Sequence, residues 1–172
     1  MKVIEHQVCL LLGSNIQPER NIPLAIDQLQ NHLSILQISS VWETCAVGSA
    51  GPNFLNAALL ARTPLGQTAL KLQILNPLEA KMGRLRSADK NAARPIDLDI
   101  ILFDRLILDP TLWQFAHRAV PVSEIQPDIR KEAGVTLKEA AAQFISSGSI
   151  WLRSDVIIQN NWQSNQEPII FR

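Results

Sequence analysis

The feature that most restricts the fold is a short apolar run, Val8–Leu12, which ends in Gly13-Ser14-Asn15. The run contains no polar residue, which indicates a strand buried on both faces, and the small residues after it are typical of a turn. A strand covered on both faces belongs in the middle of a sheet. The other elements must therefore be arranged around this segment.

The elements predicted along the chain follow the order strand, helix, strand, strand, helix, strand. Apolar residues recur at three- and four-residue steps in 21–33 and 66–82, which predicts two amphipathic helices. Pro77 should kink or divide the second helix near Leu75-Asn76, because a proline lacks the helical N–H donor. Strands are predicted at 35–42, 54–61 and 96–103, a short partner at 106–108, a late helix at 137–145 and a strand-like run at 156–158.

This order predicts an α/β (α+β) fold, the ferredoxin-like βαββαβ plait, in which two helices cover one face of a mainly antiparallel sheet. A length of 172 residues fits one domain. We assign residues 1–148 to this domain. Residues 149–172 form a C-terminal extension, which is either a tail or an added strand of the same domain.

Composition excludes several classes of protein. Lys plus Arg and Asp plus Glu both number 16, so the net charge of zero offers no overall field for nucleic acid or an anionic membrane. The two cysteines form neither a disulfide framework nor a CxxC metal motif. No apolar run has the length of a membrane span or a signal peptide. We expect a cytoplasmic monomer without a nucleic-acid or membrane partner.

Two carboxylates lie in the strand predicted at 96–103. The two-residue period of a strand places Asp97 and Asp99 on one face, with Cα atoms about 6.6 Å apart, and their apolar neighbours on the other. Mg²⁺ binds through one or two carboxylates together with substrate phosphates, so the pair suits a phosphate-handling metal site. The spacing alone equally fits a solvent-facing strand edge.

The segment before these carboxylates is strongly basic. Residues 81–94 contain the cations Lys81, Arg84, Arg86, Lys90 and Arg94 but only one acid, Asp89. Arg84 and Arg86 share a face if the chain is extended after Gly83, and their forked donors suit phosphate oxygens. Most charge runs are solvated loops. Directly before a carboxylate pair, however, this one favours a site for Mg²⁺ and a polyphosphate.

These residues resemble the hydroxymethyl-dihydropterin pyrophosphokinase family, folate-pathway enzymes that transfer diphosphate from ATP to a pterin alcohol and release AMP. The resemblance runs from about residue 8 to 117, and less clearly to 128. It rests on Leu12-Gly13-Ser14-Asn15, Phe54-Leu55-Asn56-Ala57-Ala58, Gly83-Arg84-Leu85-Arg86 and Arg94-Pro95-Ile96-Asp97-Leu98-Asp99-Ile100. The last two motifs are specific at their spacing, whereas Gly-Ser-Asn alone is commonly a turn and helix cap.

The resemblance implies a site with a nucleotide half and a pterin half. It implies that Asp97 and Asp99 hold two Mg²⁺ ions and act in catalysis together with Arg84, Arg86 and Arg94. It implies contacts with ATP for Glu79, Arg84, Arg86, Ile100 and His117. On the pterin side, it implies a slot lined by the backbone of Thr44, Val47 and Gly48, with Phe54 stacked on the ring and Asn56 reading its edge.

Each of these assignments has a structural alternative. Taken singly, Phe54 is a core aromatic, Glu79 a helix-surface charge and His117 an ordinary histidine. Asn56 is less easily explained as core filler, because a buried amide needs hydrogen-bond partners and a pterin edge supplies them.

The chain departs from the family's pattern in three places. Asn91-Ala92-Ala93 stands before Arg94, where the family has a bulky residue and Gly-Pro. The stretch between His117 and Pro121 is shorter than in the family and lacks the aromatic that closes the pterin sandwich, a role that Trp113 or Phe115 could take. Residues 135–172 carry no assigned motif.

These departures leave two other classes open. One is a non-catalytic relative that binds nucleotide or pterin, or an interaction module. The other is a metal nuclease or nucleotidyltransferase, which would need a basic groove that zero net charge disfavours.

Overall fold

A computed structural model of the protein describes residues 4–46, 51–85, 92–131 and 134–159. The strands are β1 His6–Ser14, β2 Ser34–Ile38, β3 Trp42–Thr44, β4 Phe54–Thr63, β5 Asp97–Phe103, β6 Leu106–Ile107 and β7 Trp151–Leu152. The helices are α1 Pro18–Leu29, α2 Gln67–Leu70, α3 Asn76–Lys81, α4 Ala116–Ile125 and α5 Leu137–Ser146, and a π-helical segment Lys71–Leu75 joins α2 to α3. No helix within these ranges is long and apolar enough to cross a membrane.

The strands form one sheet in the order β6-β5-β1-β4-β3-β7, and β2 pairs with the C-terminal part of β4. Every pairing within the described ranges is antiparallel. β1 lies between β4 and β5, and Val8, Leu10 and Leu12 are fully buried, so the predicted central strand is confirmed. The mixed α/β fold with a mainly antiparallel sheet is confirmed as well.

Helices cover both faces of this sheet. Helix α1 and the stretch from α2 to α3 pack on the face that carries Leu10 and Leu12. Helices α4 and α5 pack on the opposite face, against Leu11 and Ile101. The sequence predicted helices on one face only and gave no signal for α4, because Pro121 lies inside it and interrupts the helical pattern.

The strand predicted at 35–42 is wrong in its extent, because two strands occupy this stretch. The chain leaves the sheet after β2, and Ser39 replaces the regular pairing there: its N–H donates to Ala58 O at 2.8 Å, and its Oγ accepts from Ala58 N at 2.8 Å. Pairing resumes in β3, at Asn56 and Phe54 of β4. A polar side chain thus breaks a run whose composition is typical of one strand.

Two further predictions concern element ends. Near Leu75-Asn76, where a kink or division of the second long helix is predicted, the backbone stays right-handed helical but changes from the π-helical segment to α3, which has Pro77 in its first turn. The strand-like run at 156–158 is wrong: the C-terminal strand is β7, which pairs with Trp42 and Glu43 of β3. The boundary between 148 and 149 stays a prediction.

Candidate functional site

The register of the central strands brings the predicted site residues onto one face of the sheet. Gly13 of β1 lies opposite Asp97 of β5 and Asn56 of β4, and Leu11 lies opposite Asp99. Directly opposed residues project from the same face of a sheet. This is the face of Leu11 and Ile101, on which α4 packs.

The carboxylates of Asp97 and Asp99 are half-buried, and Leu98 between them packs into the core on the other face. Burial raises the pKa of Asp99, and the neighbouring charge of Asp97 raises it further. The positive charge of Arg118 and that of Arg84 oppose this shift. The pair therefore has the electrostatics expected of two like charges held close together in a partly dry site.

Asp97 is held between two guanidinium groups. Arg84 Nη1 donates to Asp97 Oδ1, and Arg94 Nη1 donates to Asp97 Oδ2 at 2.6 Å. The side chains of all three residues are about one-fifth exposed. Arg84 and Arg94, from the two described parts of the basic segment, thus both contact the first of the two carboxylates that follow it in the sequence.

Glu79 links Arg84 and Asp97 to the core. It is not the helix-surface charge that it resembles in the sequence. The residue is 3% exposed. Its Oε1 accepts from Leu98 N at 2.8 Å and also from Arg84 Nη1. Burial raises the pKa of Glu79, whereas the Leu98 N–H and the charge of Arg84 lower it. Glu79 therefore ties α3, Arg84 and β5 together.

The Gly-Ser-Asn motif has a different role from the helix cap considered above. Asn15 Oδ1 accepts from Arg94 N at 2.7 Å, and Asn15 N donates to Arg94 O at 3.2 Å. Ser14 Oγ donates to Pro95 O at 2.6 Å. The N-cap of α1 is instead Gln17, which makes no side-chain capping bond. Ser14 and Asn15 thus anchor the end of the basic segment, a role that sequence reasoning missed.

The described residues that are predicted to bind pterin are neutral and lie on β3 and β4. Thr44 pairs with Phe54 across the two strands, and Asn56 Nδ2 donates to Thr44 Oγ1 at 3.3 Å. Asn56 and Thr44 are 3% and 5% exposed, whereas Phe54 is half-buried. The Arg94 guanidinium lies 6.0 Å from the centre of the Phe54 ring. Val47 and Gly48 of the predicted slot, like Arg86 of the nucleotide half, lie outside the described residues.

Gly13 lies between residues predicted for the two halves, opposite Asn56 on one side and Asp97 on the other. A Cβ atom at this position would lie 3.4 Å from Asn56 Oδ1, 3.9 Å from the Phe54 ring and 4.0 Å from Asp97 Cβ. The absence of a side chain therefore leaves space between the amide and the carboxylate.

His117 lies in the first turn of α4, where its ring stacks on Phe115 with 5.5 Å between ring centres. Burial, followed by the charge of Arg118, lowers the pKa of His117 to about 4. The imidazole is therefore neutral at pH 7, so its one N–H group can donate a hydrogen bond to a phosphate oxygen but the ring carries no charge. Ile100 packs its side chain against the core on the α1 face, away from the carboxylates.

The described residues contain no group of three or more His, Cys, Asp and Glu side chains that could hold a metal ion. Asp97 and Asp99 could therefore provide only part of a coordination shell. A hard cation bound to them would take its remaining oxygen ligands from water or from a substrate such as a polyphosphate.

Comparison with known proteins places the chain in a family. The model of the 7,8-dihydro-6-hydroxymethylpterin-pyrophosphokinase (HPPK) family matches residues 9–127. A 2-amino-4-hydroxy-6-hydroxymethyldihydropteridine pyrophosphokinase from Aquifex aeolicus is 34% identical over 132 residues, which cover 71% of this chain and 81% of the relative. The protein of that name from Pseudomonas aeruginosa is 30% identical over 148 residues, which cover 79% and 90%.

The fold is similar to that of a solved structure. The wild-type HPPK-DHPS of Plasmodium falciparum, crystallised with pteroate, matches 85% of this chain with a TM-score of 0.63 at 12% sequence identity. This chain spans 43% of that protein. The family model alone covers more than half of the chain, which therefore belongs to the 7,8-dihydro-6-hydroxymethylpterin-pyrophosphokinase family and is a pyrophosphokinase of folate biosynthesis.

Proposed function

We propose that the face bearing Asp97, Gly13 and Asn56 is the active site, where ATP bound with Mg²⁺ donates its diphosphate to 6-hydroxymethyl-7,8-dihydropterin. One observation carries this proposal: Gly13 lies between the carboxylate of Asp97, which two arginines hold, and the buried amide of Asn56. Because Gly13 has no side chain, the space between these two groups stays open. A phosphate-binding group and a group suited to a heterocycle edge thus lie side by side. We further propose that the chain acts as a cytoplasmic monomer.

The reaction requires no nucleophilic side chain. The hydroxymethyl oxygen of the pterin attacks the β-phosphorus of ATP and loses its proton. The bond between the β-phosphorus and the oxygen that bridges it to the α-phosphorus breaks, and AMP leaves with that oxygen. The protein contributes alignment of the two substrates and compensation of the phosphate charge.

The two carboxylates fit Mg²⁺, because both offer hard oxygen ligands on the same face of one strand. Asp97 and Asp99 would hold the two ions that the family resemblance implies. Bound there, Mg²⁺ would neutralise phosphate charge and orient the phosphate chain. The bonds from Arg84 and Arg94 to Asp97 offset the charge of this carboxylate before substrates arrive. We propose that both guanidinium groups transfer to phosphate oxygens when the nucleotide binds.

The remaining residues have supporting roles in this proposal. The buried Glu79 orients Arg84, and the neutral His117 hydrogen-bonds to a phosphate. The side chain of Ile100 is packed in the core, which leaves its backbone for contact with ATP. Arg86 would act beside Arg84 on the phosphates.

The pterin would lie against Phe54, with Asn56 reading the edge of the ring. Asn56 is buried and supplies both donors and an acceptor, as recognition of a pterin edge requires. The backbone of Thr44, together with Val47 and Gly48, would line the slot.

Release of AMP from Mg²⁺-ATP by the purified protein, with and without hydroxymethyl-dihydropterin, tests this proposal. We expect AMP only when the pterin is present. We expect no AMP in a reaction from which EDTA has removed the Mg²⁺. AMP production that persists without divalent metal would overturn the metal assignment. Folded protein that binds pterin but releases no AMP would instead identify a non-catalytic relative.

A further inference from the structure

The C-terminal extension carries no assigned motif, but its residues 151–153 bond to β3, a strand of the proposed pterin half. Strand β7 pairs with β3, placing Leu152 opposite Trp42 and Trp151 opposite Glu43. Arg153 N then donates to Val41 O at 2.9 Å. The segment thus adds a strand beside β3, which is only three residues long and would otherwise form the sheet edge.

The Arg153 side chain extends this attachment. Its Nη1 donates to Glu43 Oε2 at 2.7 Å, and its Nε and Nη2 donate to the two oxygens of Asp155 at 2.8 Å each. A longer contact of 3.3 Å joins Nη2 to Glu19 in α1. The side chains of Arg153 and Glu43 are 22% and 17% exposed, so their contact is partly shielded from water.

Glu43 connects Arg153 to the residue that precedes β4. Its other oxygen, Oε1, accepts from Asn53 Nδ2 at 2.8 Å. Glu43 precedes Thr44 and Asn53 precedes Phe54, the two residues that pair at the end of these strands. The carboxylate therefore bridges the two strands directly beside residues of the proposed pterin half.

We infer that Arg153 is a positioning residue for the pterin half, which acts through Glu43 and Asn53 on Thr44 and Phe54. This inference rests on the proposed function, because it takes Thr44 and Phe54 to contact the pterin. A binding surface that is held in place before the ligand arrives binds more tightly, since less conformational freedom is lost on binding. Glu43 and Asn53, which Arg153 holds directly or through Glu43, immediately precede Thr44 and Phe54 in the chain, so loss of these contacts should affect one substrate selectively.

Steady-state kinetics of matched variants test the inference. Arg153→Met removes the guanidinium group. Glu43→Gln keeps an oxygen that can accept from Asn53, but it faces Arg153 with an amide nitrogen, which cannot accept a hydrogen bond. We expect each change to raise KM for the pterin about tenfold while KM for ATP stays within about twofold, as for the loss of one hydrogen bond to a charged group. Asp155→Asn, which leaves the Arg153–Glu43 contact in place, is the control and should leave both constants within about twofold.

The double variant Arg153→Met/Glu43→Gln shows whether the two residues act together. We expect its pterin KM to match that of either single variant, because both remove the same contact. Equal changes in both Michaelis constants, or a lower melting temperature with unchanged pterin KM, would overturn the inference. If Arg153→Met does not fold, Glu43→Gln decides the question alone.

Calorimetric titration with the pterin separates this inference from the proposed function. A wild-type protein that binds pterin but releases no AMP contradicts the proposed function only, and the dissociation constants of the variants then replace KM in the same comparison. A wild-type protein that binds no pterin overturns both.

Discussion

The proposed nucleotide half and the proposed pterin half of the site are held together by different forces. Around Asp97, charge-assisted bonds join α3, the basic segment and β5. Around Asn56, a neutral amide bonds to a hydroxyl at 3.3 Å. Partly buried charges need partners even without a ligand, because an unpaired one costs several kcal/mol. A flat neutral ring instead requires shape and a few donors and acceptors. Substitutions in the two halves should therefore have separable effects.

The largest expected effect is the loss of turnover in Asp99→Asn. An amide is a poor ligand for Mg²⁺ and carries no charge to balance it, so we expect kcat to fall by about 10³-fold or more. Stability should not fall, because burial raises the pKa of Asp99 and the folded state gains when this charge is removed. Turnover is measured as AMP release and stability by urea unfolding.

Asp97→Asn is the matched comparison within the same half. It should lose turnover to a similar extent, but it should also lower the free energy of unfolding by about 1–3 kcal/mol, because Arg84 and Arg94 each lose an ionised partner. Equal stability of the two variants would show that the ion pairs around Asp97 do not hold the site together. Turnover close to that of the wild type in either variant would contradict the metal assignment.

A smaller effect is expected at Gly13, where the two halves meet. In Gly13→Ala the new methyl group occupies the space between Asn56 and Asp97, at ordinary contact distances of 3.4 Å and 4.0 Å. We expect KM for the pterin to rise about tenfold with little change in stability, because the methyl group fills space that the substrates need rather than causing a clash. Steady-state kinetics with each substrate varied in turn measures this.

Gly66→Ala is the control for this substitution, because a Cβ at Gly66 meets no atom within 4 Å. Its kinetic constants should equal those of the wild type. If Gly13→Ala also behaves like the wild type, the substrates do not occupy the space between the two halves, and the proposed site would have to be divided.

How far the sequence could predict this molecule differs between its parts. The sequence predicted strand β1, the alternation around Asp97 and an irregularity of the helix before Pro77, because these features follow from local patterns of polarity and proline. Ser39, by contrast, ends a strand through a bond to Ala58, nineteen residues away. Such a bond leaves no trace in the local pattern.

The candidate site shows the same limit. The composition of the basic segment predicted cations near Asp97, but not that Arg84 and Arg94 would both bind this carboxylate. Glu79 resembled a surface charge because its partner Leu98 N belongs to a strand nineteen residues later. Arg153 contacts Glu43 across 110 residues. Contacts of this kind depend on the packing of the sheet, and so they become visible only in the folded chain.

The smallest expected effect is a change of stability with pH at His117, a neutral residue in the proposed nucleotide half. Its folded pKa of about 4 lies below the ordinary value of 6.5, since burial and Arg118 outweigh the opposing charge of Asp109. The unfolded chain therefore takes up a proton at a pH where the folded chain does not. This group's contribution to stability is complete above pH 6.5 and is lost as the pH falls towards 4.

Urea unfolding of the wild type and of His117→Gln at pH 7, 6 and 5 measures this contribution. Between pH 7 and 5 the wild type should lose up to about 2 kcal/mol more than the variant. Other groups with lowered pKa values, such as Asp104 and Glu139, titrate in both proteins and cancel in the difference. Parallel pH profiles would show that His117 has the same pKa in the folded and the unfolded chain. It would then carry a positive charge below its ordinary pKa of 6.5 and would join Arg84 and Arg94, the proposed phosphate ligands, as a cation.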